Sequence, residues 1–549
     1  MSLPVFDPQT HLFGLQAVSS EIFDEADRYG LFARQIYPLL VEARPKLEAC
    51  YCLSTGRPGV EPVLLLGVSL LQFLERVPDR QAAELVKYHI GWKHALAQEL
   101  DGEVFDATVL VRFRERLIEH LQGRLAFELV LGGLEQAGLV KQKGKQRLDS
   151  THVLGLVSRM STLECVRESL RLALEELAEV VNEPQRPEFW SRLWERYVDS
   201  QLDYRARGET LKQKQLQAGE DLLDLRSWLA AQPEALRGGE KVELLERVWN
   251  EQFEVGEGQR VVRQTEIPAR PVQNPHDPEA QWCTKKAGDV KKEWVGYKTQ
   301  VAETVPEALL QKGEPTSAFL TGIVTQPATG SDEAGLGEIL KQQAEMGLDQ
   351  PAELYVDGAY VSGQALAEAE AEGRQLMGPA QPPAKTGKSA FKSDAFDIEV
   401  EQRRATCPGG HASTQCSRLE EEKTGKVNYR FEWSTHCRDC QLRAQCVPDG
   451  QKHRTLGVGQ YHTPLQARRQ QMKTTEFQRQ MKQRNAIEGT HSELVRAHGL
   501  RRARYRSLKK VALQNYLIGA ACNVKRWIRR MQWEMKQGVQ PGPCVPQGA

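Results

Sequence analysis

At 549 residues the chain is too long for a single hydrophobic core and implies two to four domains. Its 73 Lys+Arg equal its 73 Asp+Glu, which excludes a uniformly basic nucleic-acid binder, yet residues 465–536 hold 18 Lys/Arg against 4 Asp/Glu while 164–255 is rich in Glu. The 11 Cys are odd in number, with five between 407 and 446, a distribution that argues against a disulfide framework and for a local metal site.

Residues 1–7 have neither the basic nor the apolar part of a signal peptide, and the longest apolar run, 63–74, is too short to span a bilayer. A soluble, cytoplasmic protein is expected. Residues 20–135 read as helical, with 63–74 as a buried helix, and 1–135 is expected to be an N-terminal all-α, DNA-binding domain. The segment 105–117 begins like a helix capped by Asp106 or Thr108 and carries Arg112, Arg114 and Arg116. Such a helix suits a DNA groove, and it equally suits an ordinary solvated surface.

From 136 the pattern changes. An apolar run carrying Asp149 reads as a strand, and 160–265 is a Glu-rich helical insertion whose Trp190, Trp194, Trp228 and Trp249 recur at the spacing of a small bundle core. Strands follow at 294–302 and 318–325, then a helix at 332–346, a strand ending at Asp357, a helix at 363–372 and a strand at 375–377. That order predicts an α/β, RNase H-like mixed sheet flanked by helices, assembled from 136–159 and 266–380. The Pro/Lys/Gly-rich stretch 379–388 reads as a linker.

Residues 381–460 contain that linker and a Cys-rich, zinc-ribbon-like insertion. Cys437-x-x-Cys440 places two thiols on a tight turn, and Cys407 with Cys446 can complete a tetrahedral set for Zn2+; Cys416 and His411 are alternative ligands. Four sulfur ligands leave no open position, so such a site is architectural. The segment 461–535 is expected to be helical with few interruptions and to close the catalytic domain, and 536–549 to be a disordered tail. Within it Glu488 stands among cations, with Arg484 one turn earlier on the same face and Glu493 pointing elsewhere.

Any one Asp at a strand end can be a turn cap, and a lone acid among cations can be an ion pair. Three carboxylates (Asp149, Asp357, Glu488) beside a basic stretch suit different work. Enzymes acting on phosphodiesters need carboxylates to hold cations and Arg/Lys to hold phosphate.

Asp106-x-x-x-Leu110-x-Arg112-Phe113-Arg114, Leu-Asp149-Ser-Thr, Val-Asp357-Gly-Ala-Tyr and the block from Ile487-Glu488-Gly-Thr to Gly499-Leu-Arg-Arg-Ala-Arg-Tyr-Arg506 together resemble a DDE transposase of a bacterial insertion sequence, over about 60–530. That family also carries a Cys-Pro-x-Gly and Cys-x-x-Cys segment between the second Asp and the Glu. The resemblance implies that Asp149, Asp357 and Glu488 bind two Mg2+ (or Mn2+) ions and cleave and rejoin DNA strands. Arg484 and Glu488 match the family's Tyr-Arg-Glu-Lys signature, while Met481 and Val495 stand at its Tyr and Lys positions, with Arg496 adjacent. Arg484, Arg496, Arg501, Arg502, Arg504 and Arg506 are the expected DNA contacts, double-stranded DNA the partner, a homodimer or larger assembly the active form, and the nucleoid the location. Competing readings are a metal-dependent nuclease without strand transfer and a catalytically decayed, zinc-containing DNA-binding protein.

Overall fold

Twelve of the fourteen residues in the helix Pro62–Glu75 are buried, the pattern of a helix enclosed on all sides. A computed structural model describes the chain from 22 to 539, apart from 53–55, 57, 103, 201–206, 267, 269, 288–289, 309–310, 384–390 and 423–424, together with Leu15. Residues 384–388, half of the expected linker, and the tail from 540 lie outside the described residues. Against Pro62–Glu75 pack the helix Ala107–Glu119 and the C-terminal helix Leu508–Lys536, and Leu125–Gln136 packs on the latter. One continuous core joins Trp92, Phe113 and Phe127 of the N-terminal part to Val301 and Ile323 of the sheet and to Ala520 and Trp527. Gly133 permits the close approach, since a Cβ there would lie 2.5 Å from Leu39 and 3.0 Å from Trp527.

The sheet is mixed. Strand β1 (Lys145–Leu154) lies at its centre, and β2 (Gln281–Ala287) forms a hairpin with the first half of β3 (Val290–Thr304). Strand β4 (Leu320–Pro327) pairs antiparallel with β3, which pairs antiparallel with β1. On the other side β5 (Glu353–Tyr355) and β6 (Gln375–Met377) continue the sheet in parallel. The order is thus β2-β3-β1-β5-β6, with β4 paired to β3 off that path. The helices Asp332–Glu345 and Gly363–Ala371 follow β4 and β5, capped by Ser331 and Ser362.

Between β1 and β2 the helices Thr162–Val180, Gly208–Ala230 and Glu240–Gln252 form a bundle with its own core, in which Trp190 and Trp249 are buried. A Ser161–Glu164 capping box starts it. After β6, the strands Gln415–Glu420, Val427–Glu432 and Thr455–Gly459 make a small antiparallel sheet over Phe431, Trp433 and Leu456. Among the described residues no helix is long and apolar enough to cross a membrane.

The expected long C-terminal helix is broken. Helix Ile487–Arg496 ends where Gly499 adopts φ +78° and Leu500 N–H donates back to Leu494 O, six residues earlier, at 3.0 Å, a chain reversal that the left-handed glycine allows. The basic block 499–506 then runs along the end of β1: Leu154 N–H donates to Arg501 O and Ala503 N–H to Leu154 O, both at 2.8 Å. Backbone pairing replaces the helix there.

A buried charge network holds these pieces in register. Glu303 on β3 has no exposed surface. Arg147 Nε on β1 donates to its Oε1 at 2.6 Å, while Thr490 Oγ1 and Arg526 Nη1 donate to Oε2 at 2.6 and 2.9 Å. Arg526 also donates to Glu493 Oε2 at 3.0 Å and to Thr490 Oγ1 at 2.7 Å. Replacing Arg526 by Met should therefore cost roughly 3–5 kcal/mol, because the buried Glu303 loses one of its two guanidinium partners. Adding Glu303→Gln should recover part of that loss, and chemical unfolding of both variants against the parent measures it.

Candidate active site

Asp149 stands in the middle of β1, 8% exposed, and its Oδ1 accepts from Ser150 N–H at 2.8 Å. Asp357 follows β5 in a tight turn whose Ala359 N–H donates to its Oδ1 at 2.8 Å. Parallel pairing of β1 with β5 brings the two strands side by side. The guanidinium of Arg484 lies between their carboxylates: Nη2 donates to Asp149 Oδ2 at 2.8 Å and lies 3.9 Å from Asp357 Oδ2.

Arg484 belongs to a 3-10 turn, Lys482–Ala486, leading directly into the helix Ile487–Arg496. Glu488 is in the first turn of that helix and is exposed. Arg147, two residues before Asp149, donates through Nη1 to Gln483 O at 3.1 Å and so ties the Arg484 turn to β1. Thr490, two residues after Glu488, is tied to Glu303. Asp149, Arg484 and Glu488 thus ride on elements held by the same buried network.

Burial pushes the Asp149 carboxyl above the ordinary carboxylate range, against the pull of His491 and Arg484, and Asp357 adds to the rise. His491, one turn after Glu488, is 8% exposed. Burial holds its imidazole below its usual range although Asp149, Glu488 and Glu303 attract a proton to it. His491 Nε2 and Arg484 Nε are buried without hydrogen-bond partners. Unpaired polar atoms beside carboxylates that resist sharing one pocket mark a place built for an additional group. Asp149 and Asp357, with Glu488 on the adjoining helix, are oxygen donors of the kind Mg2+ or Mn2+ prefers, but their oxygens do not all lie within 4.8 Å of one another.

The expected DNA contacts divide into two sets. Arg496, Arg502 and Arg506 are exposed. Arg501 instead donates to His152 O at 2.7 Å, and Arg504 donates to Val77 O at 3.1 Å with its guanidinium 4.7 Å from the centre of the Phe73 ring. On the N-terminal side, Arg114 is buried, paired with Asp79 and stacked 5.0 Å from the Tyr505 ring, while Arg112 is exposed.

Cys407, Cys437, Cys440 and Cys446 line one cavity of about 20 Å³, together with His411 and His436. A Cβ on Gly409 would meet the sulfurs of Cys440 and Cys407 at 3.6 and 3.7 Å, so both flank that turn. Cys437 Sγ accepts Arg454 N–H at 3.4 Å. Burial raises the Cys446 thiol, and the other three thiols add to the rise. Cys416 lies apart on the strand Gln415–Glu420 and does not line the cavity, so it is no substitute ligand, whereas His411 is placed for that role. Four thiols lining one small cavity are the donor type that Zn2+ takes, but among the described residues their sulfurs do not all lie within 4.8 Å of one another.

Among the described residues, one group of three has ligand atoms all within 4.8 Å of one another: Glu493, His498 and Cys522. Glu493 already accepts from Lys525 and Arg526 at 3.0 Å each, and burial pushes the Cys522 thiol up to about 12. This group is packed as part of the buried ion network.

Sequence reading missed Arg147, Glu303, Thr490, His491 and Arg526. Their signal is a charged or polar side chain on an otherwise apolar face, which one sequence alone does not separate from a surface residue.

A family model described as a transposase DDE domain matches residues 406–528, and one described as a transposase domain (DUF772) matches 21–116. No curated protein and no solved structure matches the chain. The C-terminal match encloses the cysteine cavity, Arg484 and Glu488, the N-terminal one ends in the Arg112–Arg116 helix, and both are transposase models. Two separate transposase models, one of them a DDE domain, thus match this chain and indicate a DDE transposase.

Proposed function

We propose that this transposase binds the ends of its element, cleaves them by metal-dependent phosphodiester hydrolysis and transfers the freed strands into target DNA. The observation carrying this reading is the convergence of Asp149 and Asp357 on one guanidinium, with Glu488 one helical turn beyond it. Three antiparallel strands followed by two parallel ones, with Asp149 on the central strand, support an RNase H-like catalytic domain. In this reading that domain comprises 136–159, 266–380 and 461–535. Residues 1–135 are its DNA-binding partner, 160–265 a helical insertion and 381–460 a linker with a zinc-stabilised module.

Asp149, Asp357 and Glu488 would hold two magnesium or manganese ions. Bound there, such ions activate a water or 3'-hydroxyl and stabilise the departing oxygen. The protein's share is positional. Its buried network fixes the carboxylates, and Arg484, once its Asp149 partner is otherwise engaged, is within reach of a phosphate. Arg496, Arg502 and Arg506 suit backbone contacts, which orient DNA without reading it, and Arg501 and Arg504 hold the block carrying them. Work on two ends calls for at least a dimer, and a DNA substrate places the protein at the nucleoid.

Asp149→Ala, Asp357→Ala and Glu488→Ala should each eliminate cleavage of a labelled end duplex while leaving gel-shift binding intact; cleavage surviving all three would sink the assignment. Joining of a precut end to plasmid separates transposition from plain nuclease action. Asp149 also sets a stability test. Its folded-state pKa is raised, so the ionised form costs stability above that value, and the cost vanishes below the unfolded chain's carboxylate pKa. Asp149→Asn should accordingly melt higher than the parent at pH 7, with the gain shrinking as pH falls into the carboxylate range; a lower melting temperature at pH 7 contradicts this. Metal analysis of purified protein should give one zinc per chain, lost in Cys440→Ser. Zinc-free, fully folded parent protein would remove the zinc assignment.

A further inference from the structure

We propose that the two-stranded ribbon formed by β2 and the first part of β3 is a second DNA-binding surface, on which Lys285 and Lys292 take phosphates of the duplex beyond the carboxylate site. The inference rests on the DNA-binding reading above and names where further duplex is held. Strand β3 pairs with β1 only from Gly296 onward and with β4 only from Tyr297, so residues 290–295 are left with β2 alone. Gly296 marks the exit from the sheet: its φ is +151°, and a Cβ there would lie 2.2 Å from Val153 O. In the ribbon Lys285 is the cross-strand partner of Lys292, and Lys286 of Lys291. Like charges set directly opposite destabilise a strand pair. Lysine on an edge discourages strand addition, yet that purpose is met without placing lysines opposite one another. Lys291 pairs with Glu293 at 2.5 Å, whereas Lys285 and Lys292, both exposed, make no ion pair among the described residues.

Strand alternation puts these two lysines on one face with Trp294, whose ring lies 5.0 Å from that of His152 on β1. Arg501 donates to His152 O at 2.7 Å, so this face adjoins the basic block 499–506. Burial, and then the charges of Arg501, Lys292 and Lys285, lower the His152 imidazole to about 4, so the face draws its charge from Lys and Arg alone. On the other face the Trp282 ring lies 4.8 Å from the Arg159 guanidinium and 5.7 Å from Lys291 Nζ, contacts that stiffen the base of the ribbon. Position argues for duplex DNA. Asp149 is opposite Val301 in the β1–β3 ladder, and Lys292 lies nine residues further along β3. At about 3.3 Å per residue that is roughly 30 Å, close to the ~34 Å rise of one duplex turn, after which the same side of the backbone returns. A two-stranded ribbon also fits the major groove, and lysine as a point charge suits phosphate.

Fluorescence anisotropy of a labelled mixed-sequence duplex of about 40 base pairs, titrated with the full-length protein between about 50 and about 200 mM salt, tests this, because each phosphate contact adds about 0.9 to the slope of log affinity against log salt. Lys285→Gln/Lys292→Gln should lower that slope by about 2 and weaken binding about ten-fold, and Lys285→Arg/Lys292→Arg should keep both at the parent's values. Lys212→Gln/Lys241→Gln, which takes the same charge from the helical bundle, should leave the slope unchanged. A ribbon Gln pair with the parent's slope overturns the assignment; if Arg502→Gln/Arg506→Gln lowers the slope in the same assay, DNA binding by the basic block still stands. A loss shared equally by the Arg pair overturns it too. So does a ribbon Gln pair that keeps the slope but changes the sedimenting mass of the DNA-free protein, which makes the ribbon a protein contact. Parent protein that does not bind the duplex removes the DNA-binding reading and the ribbon with it. Relief of the opposed charges should let the Gln pair melt no lower than the parent, which excludes misfolding as the cause of weakened binding.

Discussion

Glu303 has no exposed surface, and a carboxylate so placed must be met from several sides or it destabilises the fold. It is met by Arg147 from β1, by Thr490 from the helix carrying Glu488 and by Arg526 from the C-terminal helix. Those three elements are far apart in sequence and have no local reason to meet. Apolar packing would tolerate a helix sliding or turning by a few tenths of an ångström, whereas charge-assisted hydrogen bonds at 2.6–2.9 Å impose distance and direction together. The network therefore fixes more than stability. It sets how the Glu488 helix faces the Asp149 strand.

The site it supports is electrostatically uncomfortable. Two carboxylates converge where burial disfavours the ionised form of Asp149, and one guanidinium is shared between them unequally, 2.8 Å from Asp149 and 3.9 Å from Asp357. A fold optimised for stability alone would fill this position with apolar groups. Retaining acids, an unpaired Arg484 Nε and an unpaired His491 Nε2 at the same place spends stability on chemistry. The Cys cavity is arranged on the opposite principle. Its four thiols line one small cavity, and Cys437 and Cys446 belong to the core beneath the small antiparallel sheet, so the cavity is part of that sheet's packing.

What the sequence made legible was whatever local pattern controls. The strand ending before Asp357, the helix after it and β6 follow from alternation, Ser caps and length, and the structure places them within a few residues of expectation. The buried helix Pro62–Glu75 and the Asp106 cap were equally readable. The basic block was misread because Gly499 was counted as one residue in a helical run, though His498-Gly499-Leu500 carries the signature of a helix stop. Arg501 and Arg504 look identical to Arg502 and Arg506 in sequence; only tertiary contacts with His152, Val77 and Phe73 distinguish anchors from exposed cations. Glu303 and Arg526 lay hidden for the same reason, since pairing across more than two hundred residues leaves no periodic trace.

The break at Gly499 also connects the two ends of the chain. Once the helix stops, the block 499–506 is free to lie between β1 and the N-terminal helices, and it is gripped on both sides. Leu154 pairs with Arg501 and Ala503 on one side; Arg114 stacks on Tyr505, Arg504 covers Phe73, and Arg76 donates to Arg496 O at 2.7 Å on the other. A continuous helix through 497–507 would have carried these residues away from the sheet. Because the block begins three residues after the Glu488 helix ends and contacts the helices of the N-terminal match, a force on those helices reaches the Glu488 helix through a few short, partly buried contacts. A load on the N-terminal helices or on the exposed Arg502 and Arg506 would thus press on the segment that carries Glu488. The same contacts that cost the chain a longer helix give its N-terminal helices and its carboxylate-bearing strand a common frame.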